Sequence, residues 1–218
     1  MSLSDFAAAV PEGLLSRSGK LVYAGAAAFE GRREVYVLGI NPGGDPVAQA
    51  RETVAASLAQ AQAAPRWNAY LDESWAGRPP GEAVLQRRLR GLFDRLGLDL
   101  RDTPASNVVF ERSRTERDLR GRWAALVEAC WGFHAAVIDG LGVRMVVCLG
   151  GSAGRAVRAR LGARAVVAEF REGNARGLRS WVHEAPSGVR VATLTHPGRA
   201  DWGNAAADPV GVLRDGLG

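Results

Sequence analysis

Lysine is all but missing from this chain, since Lys20 is the only lysine among 28 basic residues. The formal net charge is nonetheless +5, carried by arginine. A basic surface favours phosphate-bearing partners through counterion release, although an Arg- and Ala-rich composition looks the same without such a partner. Cysteine is scarce as well. Cys130 and Cys148 stand in apolar surroundings with no ligand spacing, which excludes a disulfide framework, a zinc site and an iron–sulfur cluster. No run approaches the roughly eighteen consecutive apolar residues of a membrane-crossing helix, so no membrane partner is expected. The first ten residues carry Asp5 and no basic cluster, unlike a secretory signal, and the expected location is cytoplasmic. Internal repeats and low-complexity tracts are absent. Leu149-Gly150-Gly151-Ser152-Ala153-Gly154 has neither the spacing of a dinucleotide fingerprint nor the Lys-Ser/Thr of a P-loop. Its small residues suit a helix that starts close against a strand. No cofactor and no metal are expected.

What is present is a series of buried-type strands that stop in turn residues. Glu34-Val35-Tyr36-Val37-Leu38-Gly39 is apolar and β-branched, and it breaks at Ile40-Asn41-Pro42-Gly43-Gly44. Such a run reads as a strand covered on both faces, as in a parallel sheet. Further strands are expected at Thr103 to Phe110, Val143 to Leu149 and Val189 to Leu194, with an excursion of short strands over 163–190. Helices are expected at Leu3 to Val10, at Pro46 to Ala63 with Asp45 as N-cap, at Gly81 to Leu96, at Arg122 to Leu141, and from the glycine-rich turn to Leu161. Between the second and third of these lies a polar connector, 65–81, that holds Trp67, Tyr70 and Trp75. Long connectors in compact domains are often functional. The 218 residues fit one α/β domain spanning 1–218, with 1–33 a peripheral segment and helices on both faces of the sheet.

Open α/β sheets place ligands at the carboxyl ends of their strands, and three residues there have useful chemistry. Asn41 is the one polar side chain inside its turn; capping the backbone is the plainer role for it. Asn107, in or near the second strand, must satisfy two amide donors and a carbonyl, and such an amide matches an imide-like ligand edge. His196 ends a buried strand and is fixed by Pro197-Gly198, from where it would donate a hydrogen bond into the crevice. His134, mid-helix, and His183, along a strand, read as structural.

Taken in order, Gly39-Ile40-Asn41-Pro42-Gly43, Asn107, Leu149-Gly150-Gly151-Ser152-Ala153 and His196-Pro197-Gly198 resemble the uracil-DNA glycosylase superfamily. The first motif is most similar to the mismatch-specific and single-strand-selective branches, and the resemblance spans residues 34–204. It implies a three-layer α/β sandwich around a central four-stranded parallel sheet, and a DNA base flipped into a pocket at the strand ends. It implies that Asn41 positions the attacking water, Asn107 reads the pyrimidine edge and His196 donates to the carbonyl oxygen where negative charge develops. Gly39, Ile40, Pro42 and Gly43 would line the substrate pocket, with Trp67, Tyr70 or Trp75 stacking on the base. Gly151, Ser152, Gly198, Arg199 and Trp202 would meet DNA, Trp202 as a wedge in the vacated stack.

The chain departs from that pattern at Gly198, where the family usually has serine, and Arg199 would replace the lost phosphate contact as a charge. The four cysteines of the iron–sulfur branches are absent. Asn41 orients water but is no strong base, which implies a slow or selective enzyme, expected to be monomeric and to act in base excision repair. Two alternatives stay open. One is a catalytically weak or inactive member of the fold that binds DNA or uracil-containing strands; the other is an α/β domain acting on a small nucleoside-like ligand.

Overall fold

The computed structural model describes residues 1–218. Six strands form one sheet: β1 (Val35–Gly39), β2 (Ala105–Asn107), β3 (Met145–Leu149), β4 (Ala165–Arg171), β5 (Arg179–Glu184) and β6 (Arg190–Leu194). Their spatial order is β2-β1-β3-β6-β5-β4. The helices are α1 (Leu3–Ala7), α2 (Glu12–Leu15), α3 (Val54–Ala63), α4 (Ala69–Asp72), α5 (Val84–Leu96), α6 (Trp123–Leu141), α7 (Gly151–Leu161) and α8 (Val210–Leu217). The fold is α/β, but its sheet is not the four-stranded parallel one expected. It is six-stranded and mixed. Strands β2, β1, β3 and β6 run parallel, and the β4–β5 hairpin continues the sheet antiparallel to β6. The run over 163–190 joins the sheet because Val182 and His183 bury against β6 while β4 remains a largely exposed edge.

Helices cover both faces, as side-chain alternation along the strands requires. Cys148 pairs with Thr193, and Gly154 of α7 lies so close that an added β-carbon would fall 2.1 Å from Thr193 Oγ1. Met145, three residues from Cys148, points to the other face, where a β-carbon on Gly216 of α8 would fall 2.6 Å from its Cε. On the α7 side α6 packs through His134, whose Nδ1 accepts from Tyr36 Oη at 2.9 Å. By length and composition one helical stretch, Glu116–Leu141, would pass for membrane-spanning; in the fold Leu126, Cys130, Phe133, Val137 and Leu141 along it are core residues.

Two local expectations are corrected. The helix expected from Pro46 begins only at Val54, with Thr53 as N-cap; Asp45 Oδ1 accepts from the Val47 and Ala48 amides but caps a series of turns. The first 33 residues are not peripheral, since Leu3, Phe6, Leu21, Val22, Ala24 and Phe29 are fully or almost fully buried in the core.

The chain leaves β1 toward β2 on one side and later leaves β3 toward β6 on the other. The carboxyl ends of β1 and β3 therefore flank the topological switch point, where open α/β sheets bind ligands. A cavity of about 890 Å³ opens there.

Candidate active site

Gly39, Ile40, Asn41, Asn107, Leu149 and His196 all line this cavity. They come from the ends of four parallel strands, so the sheet itself brings together residues spread over more than 150 positions. The turn after β1 is held open by an arginine. Arg112, only 6% exposed, donates from Nη1 to Gly43 O at 2.6 Å and from Nη2 to Glu52 Oε2 at 2.7 Å. Gly44 has φ of +119°, and a β-carbon on it would meet Gln49 Oε1 at 2.1 Å. The backbone conformation calls for glycine there, and a larger residue would also have to push the Gln49 side-chain tip aside.

Asn41 is half-buried and its amide is oriented without ambiguity. One neighbour of the side-chain nitrogen, Pro42 O at 2.8 Å, can only accept, so Nδ2 must face it. Nδ2 also donates to Ser113 Oγ at 2.9 Å. Oδ1 bonds to nothing in the protein and is left as a free acceptor. Asn107 is the opposite case. It is 5% exposed, and its Nδ2 is a buried donor that forms no full hydrogen bond in the protein, with the Tyr23 hydroxyl beside it. A buried amide donor left unpaired costs about 1–3 kcal/mol, a cost that a ligand acceptor in the cavity would remove.

His196 is exposed at the cavity edge. The Gly198 N–H donates to its Nδ1 at 2.9 Å, so in the neutral ring the proton sits on Nε2, which is a free donor. Partial desolvation of the ring by the cavity wall, and then the charge of Arg199, hold its pKa below the ordinary 6.5. The loop that carries it is tied down by arginines: Arg88 donates to Pro197 O at 2.6 Å, Arg95 to Trp202 O at 2.9 Å and Arg176 to Arg199 O.

The remaining wall is aromatic. Tyr23 and Tyr70 stack with centroids 5.6 Å apart, and Trp75 meets both edge-on. Behind them Lys20 Nζ bonds both oxygens of Glu73 at 2.6 and 2.8 Å, and Glu73 Oε2 also accepts from Trp75 Nε1 at 2.8 Å. Burial raises the Tyr23 phenol well above its usual range, with the adjacent Asn107 amide opposing.

Among the expected site residues, Asn41, Asn107, His196, Gly39, Ile40, Gly43 and Tyr70 meet in the cavity. Others do not. Pro42 is buried, and its carbonyl, not its ring, serves the site. Trp67 is buried outside the cavity lining, with Lys20 Nζ 5.4 Å from its ring centre. Gly151, Ser152, Gly198 and Arg199 lie outside the lining, at or near the surface. Trp202 is corrected outright. It is 0% exposed, because the arginine clamps fold its loop back onto the core, and a buried ring is no wedge. Sequence reasoning missed Lys20, Tyr23, Glu73, Arg112 and Ser113. For Lys20 a signal existed, the single lysine in an arginine-rich chain. No group of three or more His, Cys, Asp or Glu side chains is placed to hold a metal ion. No protein-family model matches the sequence, and no curated protein matches it significantly.

Proposed function

We propose that the protein is a monofunctional DNA glycosylase of the uracil-DNA glycosylase type, which hydrolyses the N-glycosidic bond of uracil or a related deaminated base and leaves an abasic site. The observation that carries this reading is the set of free groups in one cavity: an acceptor at Asn41 Oδ1, a buried donor at Asn107 Nδ2 and a neutral donor at His196 Nε2. Breaking the bond puts negative charge on the departing base and positive charge on the sugar. Asn107 donates to the base's carbonyl edge. His196 donates to the oxygen where the charge grows, and a fixed donor of this kind is typically worth about a hundredfold or more in rate. Asn41 Oδ1 accepts from the attacking water and turns its lone pair toward the sugar carbon. The Tyr23–Tyr70–Trp75 wall gives a flipped base an aromatic face. Arg155 and Arg199 are exposed and unpaired, free for phosphates, whereas Arg160 is engaged by Glu128 and Arg158 by His183.

One observation favours the weaker alternative, a DNA- or uracil-binding module. Of the three carboxylates on the cavity wall, Glu73 and Glu52 are tied to Lys20 and Arg112, so neither is a free base for the water, and only the exposed Glu116 has no ion-pair partner. Excision from single- and double-stranded oligonucleotides containing uracil, hypoxanthine or xanthine decides between the two. Alkali-labile cleavage by the wild type, lost in Asn41→Ala and His196→Ala, supports the enzyme. Salt-sensitive binding without cleavage supports the module.

A further inference from the structure

Asn41 acts in the proposed reaction only if its carbonyl end, not its amide end, faces the water. A carboxamide has two ends of nearly equal size, so something must choose between them. We infer that Ser113 is the positioning side chain that, beside the Pro42 carbonyl, holds this choice, an inference that rests on the glycosylase reading of the cavity.

Ser113 lies six residues beyond the end of β2 and is 4% exposed. Its own N–H donates to Pro42 O at 3.1 Å, and a parallel bridge joins it to Gly43; its backbone is thereby fixed to the Asn41 turn. Its hydroxyl proton is already committed, donated to Thr115 O at 2.8 Å. The Oγ therefore faces Asn41 with a lone pair, as a one-way acceptor, and takes an Nδ2 proton at 2.9 Å. With Pro42 O accepting the other Nδ2 proton at 2.8 Å, both amide protons are occupied. A flipped carboxamide would set Oδ1 against two acceptors. The Thr115–Ser113–Asn41 relay thus presents Oδ1 to the cavity and keeps it there. Ser113 lines the cavity itself, yet no part of the proposed chemistry needs its oxygen as nucleophile, base or ligand contact.

The test compares Ser113→Ala, Ser113→Thr and Ser113→Val. Threonine keeps the acceptor; valine keeps threonine's shape without it. Single-turnover excision should show kcat lowered roughly five- to tenfold in the Ala and Val variants, the worth of one lost neutral hydrogen bond, with KM within about twofold of wild type. Threonine should restore the rate. The side-chain amide protons of Asn41, followed by ¹⁵N NMR, should exchange with water faster in Ala and Val than in wild type and Thr. This second readout needs only folded protein. Unchanged kcat in Ala and Val, equal losses in Thr and Val, or Asn41 amide exchange that Ser113 does not affect would each overturn the inference. If the wild type excises no base, the glycosylase reading falls and Ser113 loses its role in catalysis; the amide exchange then shows separately whether it still fixes the carboxamide.

Discussion

Asn107 Oδ1 stands 2.1 Å from the point where a β-carbon on Gly39 would lie, and the two residues are register partners across β1 and β2. The bare backbone of Gly39 is what leaves room for the Asn107 carboxamide beside it. Gly39→Ala forces that side chain aside. Overpacking of this kind costs about 1–3 kcal/mol, and under the proposed function the displaced amide would lose its aim at the base edge. Urea unfolding should show the stability loss, and excision should fall further than stability alone accounts for. Wild-type excision by a folded Gly39→Ala protein would mean that Asn107 does not read the ligand.

The His196 ring should titrate on the acid side of 6.5, because partial desolvation at the cavity edge and then Arg199 both oppose its charge. A second proton would go to Nδ1 and displace the Gly198 N–H, which releases the ring from its fixed orientation. Excision should therefore hold near neutral pH and decline on the acid side of 6.5, as the ring takes up its second proton. Arg199→Ala should move the acid limb toward neutrality. A ¹H–¹⁵N titration of the ring nitrogens in both proteins checks the midpoint and the direction of its shift.

Away from the site, His134 links stability to pH. It is fully buried, with Nδ1 accepting from Tyr36 Oη and Nε2 facing Val108 O, and burial lowers its pKa to about 4. The unfolded chain, with an ordinary His pKa of about 6.5, binds more protons between those values, so stability falls as pH drops through that window. From pH 7 to pH 5 this one residue should remove about 2 kcal/mol. Urea unfolding at the two pH values measures it. His134→Phe, itself less stable at pH 7 for leaving Tyr36 Oη unpaired, should lose that part of the acid sensitivity.

Asn41 and His196 were legible in the sequence because each lies two residues past the end of an apolar run, whereas Asn107 stood inside an expected strand that in the fold ends at it. A parallel sheet delivers such ends to one edge whatever its strand order. Strand number was less legible. Strand β4 is exposed along most of its length and β5 has charged ends, so the hairpin carries little of the apolar signal that marked the other four. Lys20 and Tyr23 had no periodicity to reveal them, since their segment pairs only through isolated bridges such as Val22 with Ser106 and Ala24 with Asn68. Trp202 shows a third limit. A tryptophan among polar loop residues packs inward or outward according to what ties the loop, here Arg88, Arg95 and Arg176 from distant elements.

The single lysine supports the aromatic wall through Glu73, and the two side chains retain only 14% and 21% of their exposure. Lys20→Met should cost about 1–3 kcal/mol, mostly by leaving a half-buried carboxylate without its cation. Lys20→Met combined with Glu73→Gln should recover much of that loss, because the stranded charge is gone while the Trp75 Nε1 bond keeps an acceptor. A double-mutant cycle by urea unfolding reads the coupling. Additive losses would mean that the pair contributes no more than its separate contacts.

Asn41→Asp is the substitution that chemistry alone would recommend, since a carboxylate is a better base toward water than an amide. The surroundings of Asn41 argue against it. The atom that replaces Nδ2 would be an oxygen 2.8 Å from Pro42 O, two acceptors face to face with no proton between them. Ser113 cannot turn its hydroxyl to help without giving up Thr115 O. The aspartate would either take up a proton, and so lose the base it was meant to supply, or rotate away and lose its aim. Excision at neutral pH should therefore fall, not rise, and stability should drop by about 1–3 kcal/mol from the unpaired buried acceptors. Both effects should ease at low pH, where a protonated carboxyl would donate to Pro42 O in place of the lost amide. A pH–rate profile of the variant beside wild type reads this directly; a faster enzyme at neutral pH would show that the Pro42 and Ser113 contacts do not fix the group at position 41 during the reaction.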